Sequence, residues 1–361
     1  MSKISKLARP EILAMKPYAS ARSTAGDDGV LLNANEAPRS LVDEPGSEQL
    51  NRYPTPQPGV LRMRLAGLYS VPADNLLITR GSDEGIDLLC RVFCRPGEDA
   101  IVECPPCFGM YRISAQVQGA RVLSVPRLAG SALQIDFDSL CEAISGNPDA
   151  RLVFLTSPNN PTCETIGAVD LEKVLQACGQ HALLVLDEAY IEFCDSASAI
   201  RLMEQWPNLV ILRTLSKAFG AAGLRCGSVI ADPEIIGLLK RVMAPYPLTA
   251  PAIESALTVT SPAALVSQQG LLEEIRNEKD TLITYLDNCS FVERIWPGEA
   301  NFVLLRVDNA PALTRFCASE GVRIRDFSSQ AMLENCVRIT VGSLEDMQAL
   351  FRALDQYGEQ A

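Results

Sequence analysis

The spacing of apolar and polar positions divides the chain into three stretches. Residues 1–30 are polar, carry Pro10 and Pro17, and hold no sustained period, so they read as an arm lying on a body. From about residue 60, short apolar runs alternate with amphipathic segments. Strands are expected at 75–79 (NLLIT), 100–103 (AIVE), 121–125, 151–156 (RLVFLT), 182–186 (ALLVL), 208–213 (NLVILR) and 228–231 (SVIA). Helices are expected at 61–69, 83–94, 112–118, 137–144 and 170–178. Short, continuously apolar strands between helices predict a mostly parallel, seven-stranded sheet covered on both faces, an α/β fold.

Near Pro262 the rhythm changes. One long helical stretch at 263–288, with Ser261 as its N-cap, precedes strands at 291–296, 301–307 and 336–341 and helices at 311–319 and 344–356. The last helix opens on Ser343 and Asp346 at capping-box spacing. The expected organisation is an N-terminal arm (1–30), a large domain (31–262) and a smaller α+β domain (263–361). Its 361 residues agree with about two domains at roughly 150 residues each.

Hydrophobic residues at 47% and charged residues at 21% exclude a disordered or fibrous chain. The net charge of −12 gives no global attraction for nucleic acid or an anionic membrane, so local Arg or Lys must hold any anionic ligand. The single histidine, His181, excludes any site needing two imidazoles, including most catalytic zinc centres. General base work falls to Lys, Tyr, Asp or Glu, and no metal is expected. The 12 cysteines are scattered through apolar runs, the first 18 residues hold no signal-like apolar core, and no apolar run approaches the roughly 20 residues of a membrane span. A reduced, cytoplasmic chain is the expectation.

Ligands of an open parallel sheet collect at the carboxyl ends of its strands. After NLLIT comes a Gly/Ser turn, 80–85, entering a helix whose N-terminus suits an anion; Ser82 or Asp83 as an ordinary N-cap is the plain alternative. After RLVFLT, the SPNNP turn freezes a loop and aims its Asn side chains, or is simply a tight turn. After ALLVL, Asp187 ends an apolar strand, where an acid needs a cation or proton donor, and Tyr190 comes three residues later; a surface turn is the competing reading. After NLVILR, Lys217 lies among small and apolar residues, where a lysine loses its proton readily, unless it is a surface lysine in a loop. In chain order, an anion cradle, an amide, an acid and a Lys/Arg/Ser cluster make up the set that pyridoxal phosphate requires.

The segments LNANEAP (32–38), NRYP (51–54), RGSDEGIDLL (80–89), CPPCFGMY (104–111), SPNNPT (157–162), DEAYIEF (187–193), RTLSKAFGAAGLRCG (213–227), APYPL (244–248), EANFVL (299–304) and RITVG (338–342) resemble the histidinol-phosphate aminotransferase family, in its order and over nearly the whole chain. The resemblance implies a fold type I, pyridoxal-phosphate-dependent transferase that interconverts histidinol phosphate plus 2-oxoglutarate and imidazole acetol phosphate plus glutamate, in histidine biosynthesis. It implies Lys217 as the Schiff-base lysine that also moves the proton between Cα and C4′. Asp187 would pair with the pyridinium nitrogen, and Asn160 and Tyr190 would hold the ring's phenolic oxygen. Ser82, Asp83, Ser216 and Arg225 would form the phosphate cup. Tyr53 would reach the cofactor phosphate of a partner subunit, making a homodimer the active unit. Arg338 would bind the glutamate carboxylate and help with the substrate phosphate; Arg325 and Tyr18 would add phosphate contacts, with Asn35 a further candidate on the arm.

Two positions depart from the family. Phe108 stands where Tyr is usual, which keeps a ring for stacking on the pyridine face but loses a hydroxyl. Cys163 stands where Gly is common, which questions the backbone φ there. Cys104-Pro105-Pro106-Cys107 imitates a redox or half-zinc motif but has no second close pair. His181 reads as a surface or capping residue, and the 273–279 charge run as a solvated helix face. The alternatives are aromatic amino-acid transamination or threonine-phosphate decarboxylation on the same scaffold, and, from another class, a non-catalytic cofactor-binding regulator.

Overall fold

The computed structural model describes residues 4–19, 30–42, 50–130 and 133–359. Seven strands form the large sheet: β1 (Leu76–Thr79), β2 (Ala100–Glu103), β3 (Arg121–Ser124), β4 (Ala150–Thr156), β5 (Leu183–Asp187), β6 (Leu209–Thr214) and β7 (Gly227–Ile230), in the order β1-β7-β6-β5-β4-β2-β3. The pairings from β6 across to β3 are parallel, whereas β7 is antiparallel to both its neighbours. Only a loop with one short 3-10 turn joins β6 to β7, and with no crossover helix the chain returns antiparallel.

Both faces of this sheet are covered, which explains why its strands read as unbroken apolar runs. On β4 and β5, Val153, Leu155, Leu184 and Leu186 enter one core, while Leu152, Phe154, Leu183 and Val185 enter the other. By the same alternation Asp187 faces the second core, opposite Thr156 in register. Residues of the arm join that core too. Ile4, Leu7, Ala8 and Ile12 are buried there, and Arg241 donates to the carbonyls of Ile12 and Leu13 at 3.0 and 2.6 Å. The aperiodic reading of the arm misses the short helix Pro10–Ala14. The pattern of apolar positions also misses the helices Pro233–Val242 and Ala250–Val259, although each opens with a proline in its first two positions and a capping side chain, Asp232 or Thr249.

The smaller sheet has the order β10-β11-β9-β8, from β8 (Val292–Trp296), β9 (Phe302–Val307), β10 (Arg325–Asp326) and β11 (Cys336–Thr340). The helices Pro262–Leu286, Ala310–Ser319 and Leu344–Gly358 cover one face. Ser261 caps the first, and Ser343 with Asp346 forms the expected capping box on the last. The 273–279 run is not solvated throughout. Lys279 is buried and its Nζ donates to the carbonyls of Gly298 and Ala300 at 2.8 and 2.6 Å, tying the helix to the loop before β9. In the seam between the sheets, Cys163 packs with Tyr190 and Phe302 at a φ of +67°, so the doubted backbone conformation is present with a cysteine in it.

Two glycines test this packing in opposite directions. A Cβ on Gly227 would stand 2.5–2.8 Å from the backbone of Gly81 and Ser82, so Gly227→Ala is expected to destabilise by about 1–3 kcal/mol. Gly237 lies exposed in the helix Pro233–Val242 with open space around it, so Gly237→Ala is expected to stabilise by about 0.5–1 kcal/mol. Urea midpoints of the two variants check both signs.

Candidate active site

Strands β1, β4, β5 and β6 end on one side of the large sheet, and the small sheet closes that side into a cavity of about 550 Å³. The strand-end residues meet there because each loop is anchored immediately beyond its strand.

The first wall is an anion cradle. The helix Gly81–Phe93 starts directly after β1, with Arg80 at its N-cap and no side chain capping it. Neither Ser82 nor Asp83 caps this helix, because both lie inside its first turn. Its first turn therefore has no side-chain cap at the positive end of the helix dipole, where Ser82 and Asp83 line the cavity. Arg225 closes the cradle, its Nη2 donating to Asp83 Oδ2 at 3.1 Å and its Nη1 to Ser216 Oγ at 3.4 Å. Gly81 has a φ of +77°, and a Cβ there would meet Arg225 Nη2 at 2.7 Å. Only glycine lets the guanidinium come this close to the helix start.

The floor is an acid without a cation in hydrogen-bond contact. Asp187 is 3% exposed. Its Oδ2 accepts from Tyr111 Oη at 2.9 Å and its Oδ1 from the Ala189 N–H at 3.1 Å, while Tyr111 Oη also meets Thr156 Oγ1 at 2.7 Å. Burial pushes the Asp187 carboxyl up to about 6, against the pull of these hydrogen bonds. Tyr111 stacks on Phe154 at 4.8 Å and holds Phe108 edge-on at 5.7 Å, with Phe108 at the cavity wall. The partners Tyr111 and Thr156 were missed in the sequence; the signal was an aromatic residue in CPPCFGMY and a threonine ending RLVFLT beside an acid in the next strand.

Across the floor, Lys217 opens into the cavity with its Nζ 5.5 Å from the Tyr190 ring centroid. Surrounding protein, then the nearby Arg338 charge, lowers its pKa below the ordinary lysine value. Tyr190 is buried edge-on to Phe302 at 5.2 Å, and burial pushes its hydroxyl up to about 12. From the small sheet, Arg338 Nη1 donates to Asn160 Oδ1 at 2.6 Å, linking the two sheets through the site. Arg325 is the cross-strand neighbour of Arg338 and also lines the cavity.

Thus Ser82, Asp83, Phe108, Asn160, Asp187, Tyr190, Ser216, Lys217, Arg225, Arg325 and Arg338 converge on one cavity. Tyr53, Tyr18 and Asn35 do not line it. Tyr53 is half exposed and stacks on Tyr246 at 4.6 Å, Tyr18 is 71% exposed, and Asn35 is exposed at a φ of +56°. Phe327 and Gln330 line the cavity without having been singled out in the sequence.

The sequence profile described as aminotransferase class I and II matches residues 29–354. The chain belongs to that family. It is 40% identical over 354 residues to histidinol-phosphate aminotransferase 1 of Haemophilus influenzae (strain 86-028NP), covering 98% of this chain and 99% of that one. It is equally 40% identical over 352 residues to histidinol-phosphate aminotransferase of Yersinia pseudotuberculosis (serotype O:1b), covering 97% and 91%. Among solved structures, histidinol-phosphate aminotransferase from Sinorhizobium meliloti in complex with pyridoxal-5′-phosphate superimposes with a TM-score of 0.76 at 23% identity, over 86% of this chain and 83% of that one. The site suits the family's cofactor chemistry: an uncapped helix start beside Arg225 fits a phosphate, and a desolvated carboxylate fits a protonated ring nitrogen.

The rest of the family's loops fit structural roles. Glu188 is buried and fully partnered by Ser198 Oγ, the Ala199 N–H and Arg213, so it holds the loop after β5 rather than serving the cavity. Cys104 and Cys107 are free thiols whose burial pushes both up to about 12, far from thiolates at neutral pH. The His181 ring nitrogen Nε2 lies 3.2 Å from the Ile144 carbonyl at the end of the helix Phe137–Gly146, a capping contact.

Without cofactor, Asp187 destabilises the fold wherever it is ionised. Its pKa in the folded chain lies above that in the unfolded chain, so the folded state holds more proton between about 4 and 6 and loses stability as pH rises through that window. Asp187→Asn is therefore expected to raise the stability of the cofactor-free protein at pH 8 by up to about 3 kcal/mol, with the difference vanishing near pH 4. Denaturant unfolding of both proteins at the two pH values checks this.

Proposed function

We propose that the chain is a histidinol-phosphate aminotransferase, exchanging an amino group between histidinol phosphate and 2-oxoglutarate. The observation that carries the reading is the pairing, in one cavity, of a pyridoxal-phosphate-type floor with two arginines, Arg325 and Arg338, on the small sheet. It is supported by 40% identity to curated histidinol-phosphate aminotransferases over nearly their full length.

Bound pyridoxal phosphate supplies an electron sink for the pair left when a proton leaves the substrate Cα. Asp187, kept in place by Tyr111 and the Ala189 N–H, presents its charge to the ring nitrogen. A protonated ring nitrogen beside it would return the carboxyl to its ionised form. Arg225, Ser216 and the N–H groups of Ser82 and Asp83 would hold the cofactor's phosphate. Asn160 has its Oδ1 occupied by Arg338, which leaves its amide N–H groups to donate to the ring's phenolic oxygen together with Tyr190. Lys217, with its lowered pKa, holds a base ready to take and return the Cα proton. Arg338 takes the anionic end of each substrate in turn, since a guanidinium fork matches a carboxylate or a phosphate.

The division into an arm (1–30), a large domain (31–262) and a small domain (263–361) is part of this reading, supported by the two separate sheets and their own cores. So is the homodimer. Tyr53, Val60, Met63 and Leu32 are large apolar or aromatic side chains exposed on one stretch of chain, and Tyr53 sits outside its own cavity, as a residue serving a second copy's phosphate would. No helix among the described residues is long and apolar enough to cross a membrane. All twelve cysteines are free, which supports a reducing, cytoplasmic setting.

In the visible spectrum of the holoenzyme, histidinol phosphate and glutamate are each expected to bleach the bound-cofactor band, and phenylalanine to do so poorly. A band bleached best by phenylalanine would transfer the substrate to the aromatic class, and carbon dioxide release from threonine phosphate would transfer the reaction to decarboxylation. Lys217→Ala is expected to lose turnover by at least about a thousandfold with the fold intact by circular dichroism. Arg338→Ala is expected to slow both half-reactions in single-turnover measurements; loss in one alone would refute a shared anchor.

A further inference from the structure

The two arginines of the small sheet stand in an arrangement that a monoanion does not require. Arg325 and Arg338 are directly opposite in the β10–β11 pair, so their like charges lie on one face of the sheet, where such a pair is unfavourable. Neither has a carboxylate partner among the described residues; Arg338 donates only to the neutral amide of Asn160, and its Nε is buried without an acceptor. The neighbouring Arg325 charge adds to burial in lowering the Arg338 pKa.

An aromatic ring joins them. Phe327, two residues beyond Arg325 on the same face, is 8% exposed. The guanidinium carbons of Arg325 and Arg338 lie 5.9 and 5.4 Å from its ring centroid, and Arg338 is also 4.9 Å from the ring of Phe302. The negative face of an aromatic ring attracts a guanidinium within about 6 Å. Phe327 is itself fixed from behind by Trp296, Leu304 and Leu333. The ring therefore offsets part of the repulsion and holds both cations at the cavity in the absence of an acid.

We propose that Phe327 is a positioning residue that keeps Arg325 and Arg338 as a paired receptor for a dianion, and thereby sets the preference for a phosphate over a carboxylate. A carboxylate is satisfied by one guanidinium fork, whereas a phosphate monoester carries close to two charges at neutral pH and three acceptor oxygens. Losing the shared ring should release Arg325, the more exposed of the two, and affect the dianion most. This rests on the functional reading above, which gives the phosphate end to Arg325 and Arg338, and adds the residue that keeps the two together.

The test uses the holoenzyme and inorganic phosphate as a competitive inhibitor of the glutamate half-reaction, which needs no histidinol substrate. In Phe327→Leu the ratio of the phosphate inhibition constant to the glutamate KM is expected to rise about tenfold, on the scale of a partly buried cation–π contact. In Phe327→Tyr, which keeps the ring, the ratio should stay within about twofold of the wild type. Should the Leu variant fail to fold, Phe327→Met supplies the same apolar volume without the ring. Phosphate and glutamate weakening in equal proportion would overturn the proposal, as would a wild-type enzyme that inorganic phosphate does not inhibit. If phosphate selectivity shifts as expected while the wild type fails to turn over histidinol phosphate, the functional reading falls and this assignment stands.

Discussion

An ionisable carboxyl placed at the end of a fully apolar strand is the constraint around which the molecule is arranged. Strand β5 is buried along its whole length because helices cover both faces of the sheet, and the alternation of the strand leaves Asp187 facing the same core as Phe154 and Tyr111. A carboxylate there has lost most of its hydration, and two hydrogen bonds do not restore it, as its upward shift shows. On the proposed reading a cationic ring nitrogen held by Asp187 would remove that penalty. Thr156 at the end of β4, Tyr111 on the helix Met110–Gln118 and the Ala189 N–H in the loop after β5 keep one carboxyl orientation available.

An acidic chain that works on anions must also build its positive potential locally. It does so twice, by different means. On the large sheet it uses backbone: an uncapped helix start, with Gly81 and Gly227 removing the side chains that would keep Arg225 and the neighbouring strand away. On the small sheet it uses side chains: two opposed arginines steadied by aromatic rings. The backbone site is rigid and suits a phosphate that stays through every turnover. The side-chain site suits a group that changes between half-reactions, because a guanidinium fork matches either a carboxylate or a phosphate.

Much of this was legible in the sequence because α/β sheets impose order. Apolar runs locate the seven large-sheet strands within a residue or two, and attention to the loops at their carboxyl ends brings out Lys217, Asp187, Asn160 and the 80–85 turn. The contacts that escaped depend on distances between elements. Asp187 is held by Tyr111, 76 positions away, and Arg338 by Asn160, 178 positions away; no local period encodes either contact. Lys279 looks like part of a solvated charge run, yet it is the one position of that run turned inward onto two carbonyls. Phe327 has only Arg325 as a local partner, two residues before it; Arg338 and Trp296 are brought to it by the pairing of the small-sheet strands. The antiparallel course of β7 was equally hidden, since it stems from the missing helix between β6 and β7 rather than from the strand itself.

The Asn160–Arg338 bond ties these two halves together and gives the exchange of substrates a physical basis. On the proposed reading it would join a group serving the cofactor's ring to a group serving the substrate's anion, and it is made between residues that belong to different sheets' sides of the cavity. Holding Asn160 by its oxygen fixes which end of the amide faces the cavity. Holding Arg338 by a neutral acceptor fixes its direction and leaves its charge intact, which a carboxylate partner would have neutralised. A bond with both properties lets the anion receptor be aimed by the cofactor pocket and still be fully cationic when either substrate arrives. Replacing Asn160 by an acid would preserve the link and lose the function, because the guanidinium would then be paired before the substrate reached it.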